Sequence, residues 1–447
     1  MTIAAPGSDG LLPGGPGTAS PGTGSPATGS PGTVAPAEAS TTSPASHPGS
    51  VSGGAGSVSD GASAVSGTES VSGRRPVSGA PSAGAGPVAG GSRAGRRGWR
   101  WWLYTGLVAA GALWLAFTVA HLVLSGQWWL WLAVDAVPPP AFLGVPLLLA
   151  GAAAPCRRSR RPVALLAAAA LLLGGPLAGL NLRGFSDGDG PAPADAVRVF
   201  SWNTGYWDEG GQTDVLYAML RAADADVYLL QEYWYEHSSG PDVAELARLR
   251  AEFPGFHVAV VGELVTLSRY PILHQLPLDA PDMPPPLWGT TEQWRYKVLR
   301  TDLDLGAGRV LSVYNLHMPV QLVPDHSPLG GEFYRVIRQQ HTQREPQWRA
   351  LARDVTANPL PVLVAGDLNT SPAMGDLAKL PDRLRDASYA SSARYPATWS
   401  DASSWPRWWR LDWAFVSAAV RVHSYRIGGS TNGVSDHRPQ QLVVSLR

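Results

Sequence analysis

The sequence predicts an α/β domain of two packed sheets with helices on their outer faces, preceded by membrane-spanning helices and, before those, by a tail without a fold of its own. Three observations predict it. The composition of the 447 residues changes abruptly twice, the middle third holds long apolar runs, and the last third alternates many short β-rich runs with fewer helical stretches. The formal net charge is zero, which gives no argument for a basic nucleic-acid-binding surface. Cys156 is the only cysteine, so no intramolecular disulfide is available. The C-terminal domain must therefore be stable through its core, for which about 250 residues suffice.

Residues 1–95 are almost entirely Gly, Pro, Ser, Ala, Thr and Val. Such a segment cannot bury enough apolar surface to offset the entropy of ordering its backbone, and it is read as disordered, with a docking tail as the functional alternative.

Residues 96–182 read as a membrane anchor with three transmembrane helices. The run "WWLYTGLVAAGALWLAFTVAHLVLSG" has no charged residue and exceeds the about 20 residues that a crossing needs. The next, "WWLWLAVDAVPPPAFLGVPLLLAGAAA", is interrupted by Asp135 and by Pro138, Pro139 and Pro140. Its second half is expected to span and its first half to lie near the outer interface. "PVALLAAAALLLGGPLAGLNL" is the third. A cleaved signal peptide fits poorly, because the apolar run lies far from the N-terminus and is repeated. Arg93, Arg96, Arg97 and Arg100 precede the first span, and Arg157, Arg158, Arg160 and Arg161 separate the second from the third. Positive loops tend to stay in the cytoplasm, so the tail is expected inside and the C-terminal domain outside. Trp99, Trp101, Trp102, Trp128, Trp129 and Trp131 suit interfacial belts. His121 and Asp135 invite a proton-relay reading, but isolated polar residues near span ends more often serve the interface or helix packing.

In residues 194–447 the runs "AVRVFSW", "DVYLLQ", "FHVAVV", "LVTLS", "VLRTDLDL", "RVLSVYNLH", "LPVLVAG", "LDWAFVS", "VRVHSYRI" and "QLVVSL" read as strands. "TDVLYAMLRAA", "DVAELARLRAEF" and the region Phe333 to Thr356 read as helical, the last expected to be divided by Pro346. The strand ends are chemically loaded. Asn203 ends one strand, Glu232 follows the next, and Asn315 and His317 close a later one; Asp367 and Asn369 stand just past another, Asp412 opens one, and Asp436 and His437 come before the last. Singly, each has a plain explanation: a turn asparagine, a solvated glutamate, an Asx turn or a buried, satisfied histidine. Six such positions in order at strand termini are hard to obtain by chance.

With those residues in place, "WN", "QE", "LSRYPI", "NLH", "GDLN", "LDWAFVS" and "SDHRP" together resemble the signature of the endonuclease/exonuclease/phosphatase superfamily, the fold of deoxyribonuclease I. The resemblance implies a four-layer α/β sandwich that cleaves phosphoesters with a divalent cation, usually Mg2+, with Mn2+ as the alternative. It implies Glu232 as the main metal ligand, with Asn203 beside it and Asp436 as a possible further ligand. It implies Asp367 to activate or orient the attacking water, and Asn369 to hold water and phosphate in line. His317 and His437 would contact the phosphate oxygens, Asp412 would orient His437, and Asn315 would bind substrate. The architecture is also similar to the membrane-bound teicoplanin-resistance proteins of actinomycetes.

The chemistry fits those assignments. Magnesium prefers oxygen ligands and keeps several waters, so one carboxylate and one carboxamide suffice where zinc would call for His or Cys. A histidine paired with a carboxylate has its orientation fixed and its charged form favoured, which suits a phosphoryl centre whose oxygens carry negative charge. Gly205 stands where the repair-endonuclease branch commonly has an aspartate, which weakens an abasic-site reading. Trp207, Tyr233, Trp234, Tyr235, Trp288, Trp294, Trp405, Trp408 and Trp409 are a candidate rim for a lipid tail, sugar or base, with core packing as the alternative. The leading expectation is an extracytoplasmic phosphohydrolase acting on a lipid phosphate or pyrophosphate at the membrane. A secreted-side nuclease and an inactive binding module are the alternatives.

Overall fold

The computed structural model describes residues 93–182, 188–206, 211–233, 243–286, 294–322, 326–399 and 407–447. The expected disordered tail lies outside the described residues, apart from Arg93 to Gly95, which begin helix α1 (Arg93–Leu124). Trp101–Leu124 of α1 is long and apolar enough to cross a membrane. So is Arg160–Ala178, which comprises α3 (Arg160–Gly174) and a short 3-10 turn.

The second apolar run is broken. A 3-10 helix at Trp129–Ala136 and helix α2 (Ala141–Ala153) meet at a 62° bend. Pro138, Pro139 and Pro140 lie at that bend, and each fixes φ and lacks an N–H donor. The 13 residues of α2 reach only about 20 Å, short of the roughly 30 Å of a hydrocarbon core. The three expected spans are thus two, or three if the bent pair counts as one.

The C-terminal domain is a four-layer sandwich. Its strands are β1 (Val197–Asn203), β2 (Val227–Gln231), β3 (His257–Val261), β4 (Leu264–Ser268), β5 (Ile272–Pro277) and β6 (Val298–Asp304), then β7 (Val310–His317), β8 (Val362–Asp367), β9 (Leu384–Asp386), β10 (Asp412–Ser417), β11 (Val420–Ile427) and β12 (Gln440–Leu446). One sheet runs β11-β12-β1-β2-β4-β3 and the other β5-β6-β7-β8-β10-β9. Helices α4 (Thr213–Ala223) and α5 (Val243–Glu252) cover the first sheet, and α6 (Gly331–Ala357) covers the second.

The alternation along β1 shows how the sequence builds these layers. Val197 and Val199 point to the core between the sheets, where Leu311, Val313, Leu363 and Val416 meet them. Phe200 and Trp202 point the other way, into the layer of Leu216, Leu220 and Leu249. A strand buried on both faces needs apolar residues at successive positions, which is why β1 and β2 read as near-continuous apolar runs.

All ten expected strands are present, and β5 and β9 are additional. β5 was not legible because it is an edge strand with five of its six residues exposed, flanked by Pro271 and ended by Pro277. Pro346 does not divide α6, which runs unbroken for 27 residues. Phe333 and Ile337 before the proline and Trp348 and Leu351 after it are all buried, so packing on both sides outweighs the missing N–H.

Candidate active site

Strand register assembles the site. Asn203 pairs with Gln231 across the parallel β1–β2 ladder, which sets Glu232 beside it. His317 pairs with Asp367 across β7–β8, and Asp367 pairs with Asp412 across β8–β10. One residue of slip in any ladder would turn its side chain to the other face. Gly366 permits the β7–β8 approach, since a Cβ there would lie 2.0 Å from the Leu316 carbonyl oxygen.

Asp367 is the hub. Its Oδ2 accepts from Asn203 Nδ2 at 3.0 Å and lies 3.8 Å from His317 Nε2 and 3.6 Å from His437 Nε2; its Oδ1 accepts from the Asn369 backbone at 2.7 Å. Each histidine is held from behind by a buried carboxylate. His437 Nδ1 is 2.8 Å from Asp412 Oδ2, and His317 Nδ1 is 2.6 Å from Glu263 Oε1. His317 Nε2 faces Glu232 Oε1 at 3.3 Å and Asn369 Nδ2 at 3.1 Å. The Nε2 edge of His437 points to Asp367, and that of His317 lies among Glu232, Asn369 and Asp367.

The turn "SDHRP" is fixed locally. The Ser435 hydroxyl donates to the Asn203 carbonyl at 2.7 Å and accepts from His437 N at 3.0 Å, while Trp202 Nε1 donates to the His437 carbonyl at 2.9 Å. Glu232 and Asn369 take positive φ, +46° and +44°. Such conformations cost of order 1–3 kcal/mol each and persist where the surroundings over-determine them. For Glu232 the surroundings are Thr204, whose hydroxyl donates to its carbonyl at 2.7 Å, and Tyr206 N at 3.0 Å.

Electrostatics follow from burial. Desolvation pushes the Glu232 carboxyl up to about 7, the positive charge of His317 opposing it and Glu263 adding to it. Asp367 is likewise raised by burial. For His437, burial alone would lower the pKa, but Asp412 and Asp367 carry it well above the ordinary value. His317 is raised in the same way, by Glu263 and Glu232 against burial. Glu263 is lowered: burial opposes ionisation, but Lys297 and His317 outweigh it.

The donor set fits a hard divalent cation. Glu232 and Asp367 are buried carboxylates whose charged forms burial disfavours, a cost that a bound cation would offset, and Asp412 Oδ1 is buried without a hydrogen-bond partner. Donor atoms of Asp367, Asp412 and His437 also lie within 4.8 Å of one another, but there the two carboxylates hold the charged His437, so the cation is assigned to Glu232 and Asn203 instead. Asn203 Oδ1 accepts from Gly205 N at 3.0 Å and keeps a second lone pair.

Of the expected site residues, Asn203, Glu232, His317, Asp367, Asn369, Asp412 and His437 come together. Asp436 sits at the rim, its Oδ2 accepting from Trp399 Nε1 at 2.7 Å. Asn315, expected to bind substrate, instead lies between the sheets: its Nδ2 donates to the Leu230 and Val265 carbonyls, and its Oδ1 accepts from Gln231. A carboxamide with both ends so used joins the two sheets rather than contacting substrate.

Among the expected rim aromatics, Tyr233 is buried with its hydroxyl on Tyr217, and Trp294 is buried beneath Lys297. Trp207, Trp234, Tyr235, Trp288 and Trp405 lie outside the described residues. Trp409 does lie near the site, edge-on to Trp399, whose ring is also 6.5 Å from that of His437.

Glu263 and Lys297 were not expected. Glu263 occupies the tight β3–β4 turn, where an acid ordinarily faces water, yet it takes Tyr206, Lys297 and His317 as partners. Glu263→Ala would leave Lys297 as a buried unpaired charge, so it should lower unfolding free energy by about 3 kcal/mol in a denaturant titration. Unchanged stability would show that the pair is not a structural element of the site.

A family model described as "Endonuclease/Exonuclease/phosphatase family" matches residues 200–437. Among solved structures, an endonuclease/exonuclease/phosphatase from Bacteroides vulgatus is 18% identical, covering 56% of this chain and 99% of that one, with a TM-score of 0.41. A protein of the same description from Beutenbergia cavernae DSM 12333 is 20% identical, covering 56% and 72%, with a TM-score of 0.39. The mannosyl-6-phosphatase of Bacteroides thetaiotaomicron VPI-5482 is 17% identical, covering 56% and 100%, with a TM-score of 0.38. Comparison with curated proteins finds no match.

Proposed function

Because the chain belongs to the endonuclease/exonuclease/phosphatase family, we propose that it is a membrane-anchored, divalent-metal-dependent phosphoester hydrolase acting on a lipid phosphate or pyrophosphate from the extracytoplasmic side. The observation that carries the lipid reading is where the site edge sits. The segment after β8, which carries Asn369, packs on the anchor: Met374 against Leu132, and Ala373 against Phe142 and Ala178. A headgroup held at the bilayer surface lies within reach of such a site, whereas a nucleic acid would have to approach along the membrane.

Glu232, with Asn203, would hold the cation, which would neutralise charge on the phosphate oxygens. The chain's own groups do the rest. Asp367 takes the proton of the attacking water, and Asn203 and Asn369 fix that carboxylate and the water in line with the phosphorus. The bond from phosphorus to its leaving oxygen (the ester oxygen of a lipid phosphate or the bridging oxygen of a lipid pyrophosphate) breaks opposite, that oxygen taking its proton from the His437 imidazolium. His317 and His437 donate from Nε2 to the phosphoryl oxygens, and Glu263 and Asp412 keep both imidazoles charged and oriented.

A pH dependence follows without substrate. Glu232, Asp367, His317 and His437 all have raised folded-state pKa values, so in the metal-free protein the fold binds more protons than the unfolded chain. The contribution of Glu232 is complete below its ordinary value of 4.5 and is lost as pH rises to about 7, and that of Asp367 starts to fall above its ordinary value of 3.8. Those of the two histidines are complete below 6.5 and are lost as pH rises through their raised folded-state values. Glu263, shifted the other way, acts only at lower pH. The metal-free protein should melt lower at pH 8 than at pH 5.5, and added Mg2+ should raise the melting temperature mainly at pH 8. A pH-independent melting temperature would contradict the electrostatics.

Assays with Mg2+ and with EDTA against lipid pyrophosphate, sphingomyelin, inositol phosphates and DNA test the substrate class. Protease access in intact cells tests the sidedness: a C-terminal domain shielded from outside overturns it.

A further inference from the structure

We propose that the last turn of α1 and the residues following it form a positioning element of the active site, in which Ser125 and His121 hold the far side of the loop that carries Asn369. The inference rests on the phosphoester-hydrolase reading for its kinetic test, but not for its structural one.

The loop from Asn369 to Asp376 is held at both ends. At the site end, Asn369 Nδ2 donates to the Met318 carbonyl at 2.9 Å and faces His317. At the anchor end, His121 Nε2 bonds the Ala373 carbonyl at 2.8 Å. Trp131 Nε1 donates to His121 Nδ1 at 3.1 Å, so Nδ1 is the acceptor and Nε2 carries the hydrogen. Ser125 Oγ accepts from Gly375 N at 2.7 Å and passes its own hydrogen to Asp135 Oδ1 at 2.7 Å. His121, Ser125 and Asp135 are all buried, so loss of the serine hydroxyl would leave a backbone N–H and a carboxylate oxygen without their partner.

The two backbones touch at a pair of glycines. A Cβ on Gly375 would lie 2.1 Å from the Ser125 carbonyl oxygen, and one on Gly126 would lie 2.7 Å from the Gly375 carbonyl carbon. Arg344 makes the loop between its ends a stiff strut. This buried guanidinium donates to the Asn369 carbonyl at 3.3 Å, Thr370 Oγ1 at 2.7 Å and Asp376 Oδ2 at 2.9 Å. A shift imposed at Gly375 must therefore break the Arg344 bonds or move Asn369, whose positive φ already depends on its surroundings. His121 and Asp135, the polar residues of the apolar segments, thus have a use unlike a proton relay: they attach the anchor to the catalytic loop.

The test uses the full chain in nanodiscs, with bis(4-nitrophenyl) phosphate and Mg2+ as the probe. Ser125→Ala and Gly375→Ala should lower kcat by about tenfold or more while KM changes by less than about threefold, the signature of a misplaced group rather than weakened binding. Amide exchange over residues 369–376 should quicken by about tenfold or more in the same variants. Leu148→Ala, on an exposed face of α2, should do neither. A smaller fall in kcat for Ser125→Ala, a loss carried by KM, or an equal effect of Leu148→Ala overturns the proposal. If Gly375→Ala does not fold, Ser125→Ala decides alone. If no phosphoester is turned over at all, the functional reading fails and amide exchange judges the anchor's role by itself, unchanged exchange in Ser125→Ala overturning it.

Discussion

Replacing His437 by alanine is expected to lower kcat for phosphoester hydrolysis by about 1,000-fold and, because Asp412 is left a buried carboxylate without its partner, to lower the unfolding free energy by about 3 kcal/mol. The magnitude is that of a positioned acid–base or charge-stabilising group acting on the transition state. It is assigned to His437 because Asp412 behind it and Asp367 in front raise its pKa well above the ordinary value against the effect of burial. The imidazole is therefore cationic at neutral pH, where a phosphoryl group needs a donor. Asp412→Asn should reproduce part of the loss, because the asparagine keeps a hydrogen-bonding oxygen but removes the charge that favours imidazolium. The pH profile separates the two effects: the Asp412→Asn enzyme should lose activity at lower pH on the basic limb than the parent. A His437→Ala enzyme with full activity would remove this histidine from the chemistry.

Glu232→Ala should abolish Mg2+-dependent turnover and weaken Mg2+ binding, measured calorimetrically, by roughly 100-fold or more. Glu232 is a buried carboxylate with no Lys or Arg as an ion-pair partner among the described residues, and its carboxyl is pushed up to about 7. A proton and a divalent cation compete for it. In the parent protein the apparent Mg2+ affinity should therefore fall by about tenfold for each pH unit below 7, the slope for displacing one proton. Removing Mg2+ with EDTA should have the kinetic effect of the alanine substitution and be reversible, unlike it. Mg2+ affinity that is independent of pH between 5 and 7, or retained in Glu232→Ala, would place the cation elsewhere.

Much of this site was legible because strand ends announce themselves. The apolar, β-rich runs that make β1, β7 and β8 strands also fix which residues stand at their C-terminal ends, and "WN", "NLH" and "GDLN" put Asn203, His317 and Asp367 there. What alternation cannot supply is the direction in which a side chain at a strand end turns. Asn315, two residues before His317, shares its face by period, yet its carboxamide lies among backbone carbonyls of the opposite sheet. Glu263 was hidden for the converse reason: an acid in a tight hairpin turn reads as solvated, and only the packing of one sheet on the other brings Lys297 and His317 to it. The bend in the anchor was visible in its prolines. The meeting of Ser125 with Gly375 was not, because two residues 250 positions apart carry no local signal of contact.

The most direct measurement is phosphate release from a polyprenyl pyrophosphate held in nanodiscs with the full chain, run with Mg2+ and with EDTA beside a duplex DNA control. A membrane-anchored phosphoester hydrolase acting on lipid headgroups predicts Mg2+-dependent phosphate release that EDTA abolishes and that exceeds any cleavage of DNA. Cleavage of DNA with no release from the lipid would contradict it.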